Sequence, residues 1–259
     1  MEVNQVWIIE KGNSRWKIGE FIDDVLVNVT RTDVRAELKD FHLPKSHAKG
    51  INILLTGSGN WTKSSLELLD SRGNVTQFRH GDSHPLKTNV KNPGSLGTDR
   101  VANAYAVQKG VVDLPSKCNE WLVVDVGTCV TFDLLVEGIH LGGAISPGIS
   151  MRLDSMKTGT VALKEVKKEV WGQSAPFKGE TTGLSTEEAL IHGAADGICA
   201  EIIGRWEVLR QVYSGIGLIL TGGDSSFLEL GRVEPKFADS NLTLKGYYAI
   251  FPHIKSLHD

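Results

Sequence analysis

Apolar residues come in short runs along this chain, broken by turns rich in Gly, Asp and Asn. Residues 6–10, 14–20 and 24–29 have the length and composition of three strands in a meander, with Asp23-Asp24 at the second turn. Residues 51–55 predict a fourth strand and residues 61–70 a helix behind it. From Asp70 to Leu96 the chain is polar and loop-rich, with space for one or two short strands that the pattern does not place. Residues 99–109 predict a helix, capped by Thr98 or Asp99 and stopped by Gly110. The meander then returns over 121–126, 129–136 and 138–141, and a helix follows over 149–157. Residues 160–184 look irregular, with 164–168 a charged, solvated stretch. Ser185 and Glu188 are spaced as a capping box for a helix that runs to about Val212. Its buried side is marked by Ala189, Leu190, Ile198, Ile202, Trp206 and Leu209. Gly193, Gly197 and Gly204 predict close backbone packing there, against the core or against a second copy. Residues 216–220 form a buried strand, and 242–244 read as a last strand before a closing helix at 246–251.

The two meanders carry one motif twice. Trp121–Asp125 is an apolar run ending in an acid, followed by a turn at Gly127-Thr128. Val6–Glu10 does the same, with Gly12 matching Gly127, Glu10 matching Asp125, and Ser14 close to the place of Thr128. Such a turn is either an ordinary hairpin or a seat for a metal-bound polyphosphate, with the acid towards the cation and the hydroxyl and amides towards phosphate. Two copies favour a duplicated domain with a ligand cleft between its halves.

Further stretches make a resemblance specific. Asn92–Arg100, Gly142–Gly148, Thr186–Gly193 and Thr221–Asp224 follow in an order that resembles type III pantothenate kinase, over about residues 6 to 250. The resemblance implies an α/β fold of two actin-like, ribonuclease-H-like domains, divided here as 1–112 and 113–259, with ATP and substrate in the cleft between them. It implies phosphorylation of pantothenate to 4′-phosphopantothenate, the first step towards coenzyme A. Asp99 becomes the general base, and Val90, Gly97, Thr98, Arg100 and Thr186 join it at the pantothenate site. The segment Glu10, Lys11, Gly12, Asn13, Ser14, Arg15, Trp16, Lys17 becomes the first phosphate loop. Thr128, Gly222 and Gly223 become further ATP contacts. Asp125 resembles the family's ligand for a monovalent cation, K⁺ or NH₄⁺, and Mg²⁺ is expected with ATP. A homodimer is also implied.

The residue chemistry suits these roles. A carboxylate can take the proton of an attacking alcohol, and an adjacent Arg can pair with a substrate carboxylate. Pantothenate offers one primary hydroxyl and one carboxylate.

Composition changes the picture little. The chain has 259 residues, 41% hydrophobic and 23% charged, with a net charge of −3, so it gives no sign of a nucleic-acid partner or a membrane surface. Met1–Gln5 lacks the basic start of a signal peptide, and three sparse cysteines fit a reducing cytoplasm. Gly57–Ser64 nearly spells a phosphate-binding loop, but Thr62 stands where that loop needs Gly, so it reads as a helix cap. His80 and His84 read as part of a surface turn.

Two positions depart from the family pattern. Glu10 replaces the usual Asp and reaches one methylene further, and Val90 stands where the family tends to carry Tyr. Lys11 either misses the site or adds a phosphate contact. These departures keep two other readings open: a metabolite-binding or regulatory protein that has lost catalysis, and a kinase acting on a different alcohol.

Overall fold

The computed structural model describes residues 4–12, 15–33, 38, 43, 50–114, 118–179 and 182–257. Its strands are β1 (Gln5–Lys11), β2 (Arg15–Ile22), β3 (Val25–Asp33), β4 (Ile51–Gly57), β5 (Gly73–Gln77), β6 (Glu120–Val126), β7 (Cys129–Val136), β8 (Ile139–Pro147), β9 (Gly217–Thr221) and β10 (Lys236–Ala238). Its helices are α1 (Lys63–Asp70), α2 (Thr98–Gln108), α3 (Ile149–Gly159), α4 (Lys168–Trp171), α5 (Thr186–Arg210) and α6 (Leu242–Ser256). They gather into two compact units. One holds residues 1–86, 91–112 and 242–259, and the other holds 87–90 and 113–241.

Each unit is built on a five-stranded mixed sheet, in the order β3-β2-β1-β4-β5 in the first and β8-β7-β6-β9-β10 in the second. In both, an antiparallel meander supplies three strands and two more add in parallel beyond the first of them. The duplicated α/β plan expected from the repeated motif is therefore present, one five-stranded sheet to each unit. The central strands β1 and β6 are apolar on successive residues, as strands buried on both faces must be. Trp7, Ile9, Trp16, Ile18, Ile53 and Leu55 pack on Leu69 of α1. In the second unit Leu122, Val124, Phe132, Leu218 and Leu220 pack with Ile198, Ile202 and Trp206 of α5 and Leu153 of α3.

Several expectations shift in the structure. The unplaced strand of the first unit is β5. The third strand of the second meander does not stop at residue 141. It continues as β8 through Gly142 and Gly143, which pair with Leu134 and Asp133. Residues 242–244 are not a strand but the first turn of α6, where a helical period wins: Leu242, Leu244, Tyr247, Ile250, Phe251 and Ile254 are all buried. The last strand is β10 instead. Gly97, rather than Thr98 or Asp99, is the N-cap of α2, and both of those residues lie in its first turn. The capping box of Ser185 and Glu188 forms as expected. Ala189, however, is exposed. A Cβ on Gly193 or Gly204 would meet no atom within 4 Å, so these two glycines admit no close packing within the described chain. Lys168 is not simply solvated, because it ion-pairs with Asp224. Among the described residues no helix is long and apolar enough to cross a membrane.

Cys199 lies on the buried side of α5 and donates its thiol to the Phe177 carbonyl at 3.1 Å. Burial pushes its pKa up to about 12, with the Asp196 carboxylate adding in the same direction. The thiolate is the reactive form, so Cys199 stays neutral and inert well above pH 8. Cys118 and Cys129 are half-buried. Alkylation of the native protein at pH 8, read by peptide mass, should modify Cys118 and Cys129 while Cys199 remains free. Early labelling of Cys199 would contradict its place in the core.

Candidate functional site

In the first unit β1 ends in Glu10, which is buried. Its partner across the hairpin is Lys17, and its partner on the parallel side is Thr56 at the end of β4. Lys17 Nζ stands 3.1 Å from Glu10 Oε2. The approach is out of line for a good hydrogen bond, so the contact is an ion pair. A buried carboxylate needs such a cation nearby. The hairpin closes with the Gly12 amide donating to the Arg15 carbonyl at 2.9 Å. Asn13 and Ser14, expected at its tip, lie outside the described residues.

Two members of that hairpin face elsewhere. Trp16 sits in the hydrophobic core against Trp61, with ring centroids 5.2 Å apart, so its indole belongs to packing. Lys11 lies over the Trp16 ring at 5.0 Å and donates to the Asn60 carbonyl at 2.7 Å. Its stem runs so close to Gly59 that a Cβ there would stand 2.6 Å from Lys11 Cδ. The Lys11 side chain therefore ties the hairpin to the loop after β4.

The second unit repeats the plan. β6 carries Asp125, paired in parallel with Thr221 at the end of β9. The Gly127 amide donates to the Cys129 carbonyl at 2.9 Å, and exposed Thr128 forms the tip of the turn. Gly148 backs this turn: its amide donates to the Thr128 carbonyl at 3.0 Å, and a Cβ on it would stand 2.7 Å from that oxygen. The Gly142–Gly148 motif thus serves the hairpin through its last glycine.

In both units a threonine and a glycine follow at the end of the parallel strand, crossing behind the hairpin. Gly57 has φ +107° and Gly222 has φ +97°. A Cβ on Gly57 would overlap the Lys11 carbonyl and stand 2.8 Å from its nitrogen. A Cβ on Gly222 would overlap the Val126 carbonyl and stand 2.5 Å from the Asp125 carboxylate. The crossings are stitched by Ser58 N to Lys11 O at 3.0 Å and Asp224 N to Val126 O at 2.9 Å. Asp224 is held in turn by Lys168, whose ammonium also lies over the Trp171 and Phe227 rings at 5.1 and 5.3 Å.

This correspondence was readable and missed. Leu54-Leu55-Thr56-Gly57 and Ile219-Leu220-Thr221-Gly222 are the same phrase, yet the first was read only as the approach to a helix cap. That cap is real: Thr62 Oγ1 accepts from the Ser65 amide at 3.2 Å.

Asp99 and Arg100 occupy the first turn of α2, where helix amides point outward and favour anions. Asp99 Oδ1 accepts from the Arg100 amide at 2.8 Å. Thr98 is buried and shares a hydrogen bond of 3.1 Å with the hydroxyl of Tyr247, from α6. Burial pushes the Tyr247 pKa well up, the Glu10 and Asp99 carboxylates push the same way, and the hydrogen bond to Thr98 pulls against them. The buried phenol thus ties α6 to the start of α2 through Thr98. Tyr247 carried no sequence signal, because its segment lies far along the chain. His80 and His84 hold the loop before α2, bonding the carbonyls of Leu96 and Pro93 at 3.1 Å each.

Of the remaining candidates, Val90 is half-buried in the second unit. Thr186 is exposed at the first position of α5, and Gly223 is exposed beside Gly222.

Comparison with known proteins gives one consistent answer. The family model described as type III pantothenate kinase matches residues 7–207. A type III pantothenate kinase from Cytophaga hutchinsonii is 32% identical over 244 residues, covering 92% of this chain and 95% of its own. Another from Phocaeicola vulgatus is 31% identical over 254 residues, covering 95% and 97%. Among solved structures, a Campylobacter jejuni protein described as a Baf family transcriptional activator aligns with a TM-score of 0.58 at 19% identity, over 96% of this chain and 99% of that one. At that identity the likeness speaks for the fold alone. With the family model covering most of the chain, and relatives matched over nearly their full length, this chain belongs to the type III pantothenate kinase family.

Proposed function

We propose that this chain transfers the γ-phosphoryl group of ATP to the primary hydroxyl of pantothenate, giving 4′-phosphopantothenate and ADP. The observation that carries this reading is the repeated hairpin, whose acids Glu10 and Asp125 each pair with a threonine at the end of a parallel strand. It stands with Asp99 at a helix start, in a chain of this family.

Asp99 is the general base. Its carboxylate accepts the proton of the pantothenate hydroxyl as that oxygen attacks phosphorus, and the bond to the β-phosphate oxygen breaks. Arg100 pairs with the pantothenate carboxylate, and Val90, Gly97, Thr98 and Thr186 complete that site. In the first unit the hairpin backbone around Gly12, with Lys17 beside Glu10, meets phosphate. Thr128 does so in the second unit, with Gly222 and Gly223 towards the nucleotide. Trp16 and the Lys11 side chain support the first hairpin from behind.

A monovalent cation fits the second unit. Thr221 Oγ1 is buried with no hydrogen-bond partner among the described residues, and it neighbours Asp125 across the strand pair. A carboxylate and an unused hydroxyl oxygen are the hard donors that K⁺ or NH₄⁺ takes. Held there, the cation supplies positive charge near phosphate, and Mg²⁺ arriving with ATP offsets charge on the transferring group.

A homodimer also belongs to this reading. In the second unit Phe132, Leu134, Leu141, Gly204, Val208 and Leu209 line an open apolar depression of about 550 Å³. Val208 on α5 and Ile145 on β8 are exposed. Gly204 faces empty space, as a residue would that lets a second copy approach.

Incubation with ATP, Mg²⁺ and pantothenate should give phosphopantothenate by mass, and more of it with K⁺ than without. Asp99→Asn should cut turnover by about 10³-fold with the fold intact, and near-normal kcat would remove Asp99 from the base role. Gly222→Ala should cost about 3 kcal/mol of stability in urea unfolding, and a variant as stable as the parent would refute the crowding at this crossing. By light scattering the protein should have the mass of two chains, and Val208→Glu should halve it. A monomeric parent would end the dimer proposal.

A further inference from the structure

Away from the residues given roles above, the second unit buries a hydrogen-bonded Asp–His pair of its own. Asp133 Oδ1 lies 2.8 Å from His140 Nε2, and both side chains are sealed from solvent. On its other side His140 Nδ1 lies 2.8 Å from Thr88 Oγ1. Thr88 Oγ1 in turn accepts the Val90 amide at 3.2 Å. A carboxylate only accepts, so His140 Nε2–H donates to Asp133, and Nδ1 shares a hydrogen bond with the Thr88 hydroxyl. The result is a continuous chain from the Val90 N–H through Thr88 and His140 to Asp133.

The backbone supports the same junction. His140 N donates to the Lys87 carbonyl at 3.0 Å, Asn89 N donates to the His140 carbonyl at 2.9 Å, and Thr88 pairs with His140 as a single parallel bridge. The segment 87–90 thus lies along the edge strand β8, and the side-chain chain extends the hold to Val90. Val90 Cγ1 also approaches Gly142, where an added Cβ would stand 3.6 Å away. A buried polar pair is seldom the most stable way to fill a core, whereas its directional bonds fix one geometry. Apolar residues at 133 and 140 would pack as well and leave Thr88 unguided.

We propose that the Asp133–His140–Thr88 chain is a positioning device that sets the Val90 segment, and through it the affinity for the alcohol substrate. This rests on the substrate-site role proposed for Val90. Asp133, His140 and Thr88 are positioning residues, since none of them is assigned to the reacting atoms.

The test uses the full chain with Thr88→Val, which removes the hydroxyl and keeps the shape, and Thr88→Ser, which restores it. Hydrogen exchange at the Val90 amide needs no substrate and should quicken by about tenfold in Thr88→Val. In the same variant the KM for pantothenate should rise by about tenfold. The KM for ATP should hold and the melting temperature should fall by about 2–4 °C as His140 loses a partner, and Thr88→Ser should return the exchange rate and the KM for pantothenate to the parent values. Unchanged exchange would overturn the proposal. So would faster exchange with an unchanged KM for pantothenate, or an equal rise in both KM values. Failure of the unsubstituted protein to phosphorylate pantothenate would sink the activity reading instead, and the exchange measurement would still read the positioning device.

Discussion

No side chain fits where the end of each parallel strand crosses behind its hairpin. At Gly57 and Gly222 a Cβ would fall on the backbone of the residue that follows the hairpin acid. The left-handed φ at both places is one that glycine adopts without strain. This closeness lets the amides of Ser58 and Asp224 reach the carbonyls of Lys11 and Val126. It also brings Thr56 and Thr221 beside Glu10 and Asp125. The placing of the hairpin acids depends on this crossing in each unit.

The electrostatics follow from burial. Glu10 is largely removed from water, and Lys17 stands against it as counter-charge. Tyr247 stays protonated because solvent is excluded and because two carboxylates are close. The neutral phenol shares its hydrogen bond with the Thr98 hydroxyl and so ties α6 to the first turn of α2. The second unit solves a related problem with Lys168, which meets the Asp224 carboxylate on one side and two aromatic faces on the other.

The sequence made the repeated strands legible because their apolar runs are long and their turns are marked by Gly and Asp. The hairpin acids stood out for the same reason. The equivalence of Thr56-Gly57 with Thr221-Gly222 was also written plainly, but a nearby helix cap drew the reading away. Other features had no local signal. Tyr247 meets Thr98 across 149 positions of chain, and Thr88 meets His140 across 52. Such pairs arise from strand order and helix docking, which periodicity does not specify. Leu242–Leu244 shows the reverse failure. Three residues fit a strand by composition, and only the longer burial pattern reveals the helix.

The first unit takes its last element from the far end of the polypeptide. Residues 242–259 belong with residues 1–86 and 91–112, although the stretch 113–241 lies between them in the chain. On the ribosome, every residue of the second unit is therefore made before the helix that completes the first. The early strands are made with the face meant for α6 uncovered, and it stays so until that helix emerges. Tyr247 is made after every residue of the second unit, so Thr98 lacks its buried partner until then. An interrupted message would release a protein with one complete sheet unit and one unfinished one, and would leave the latter exposed to chaperones and proteases.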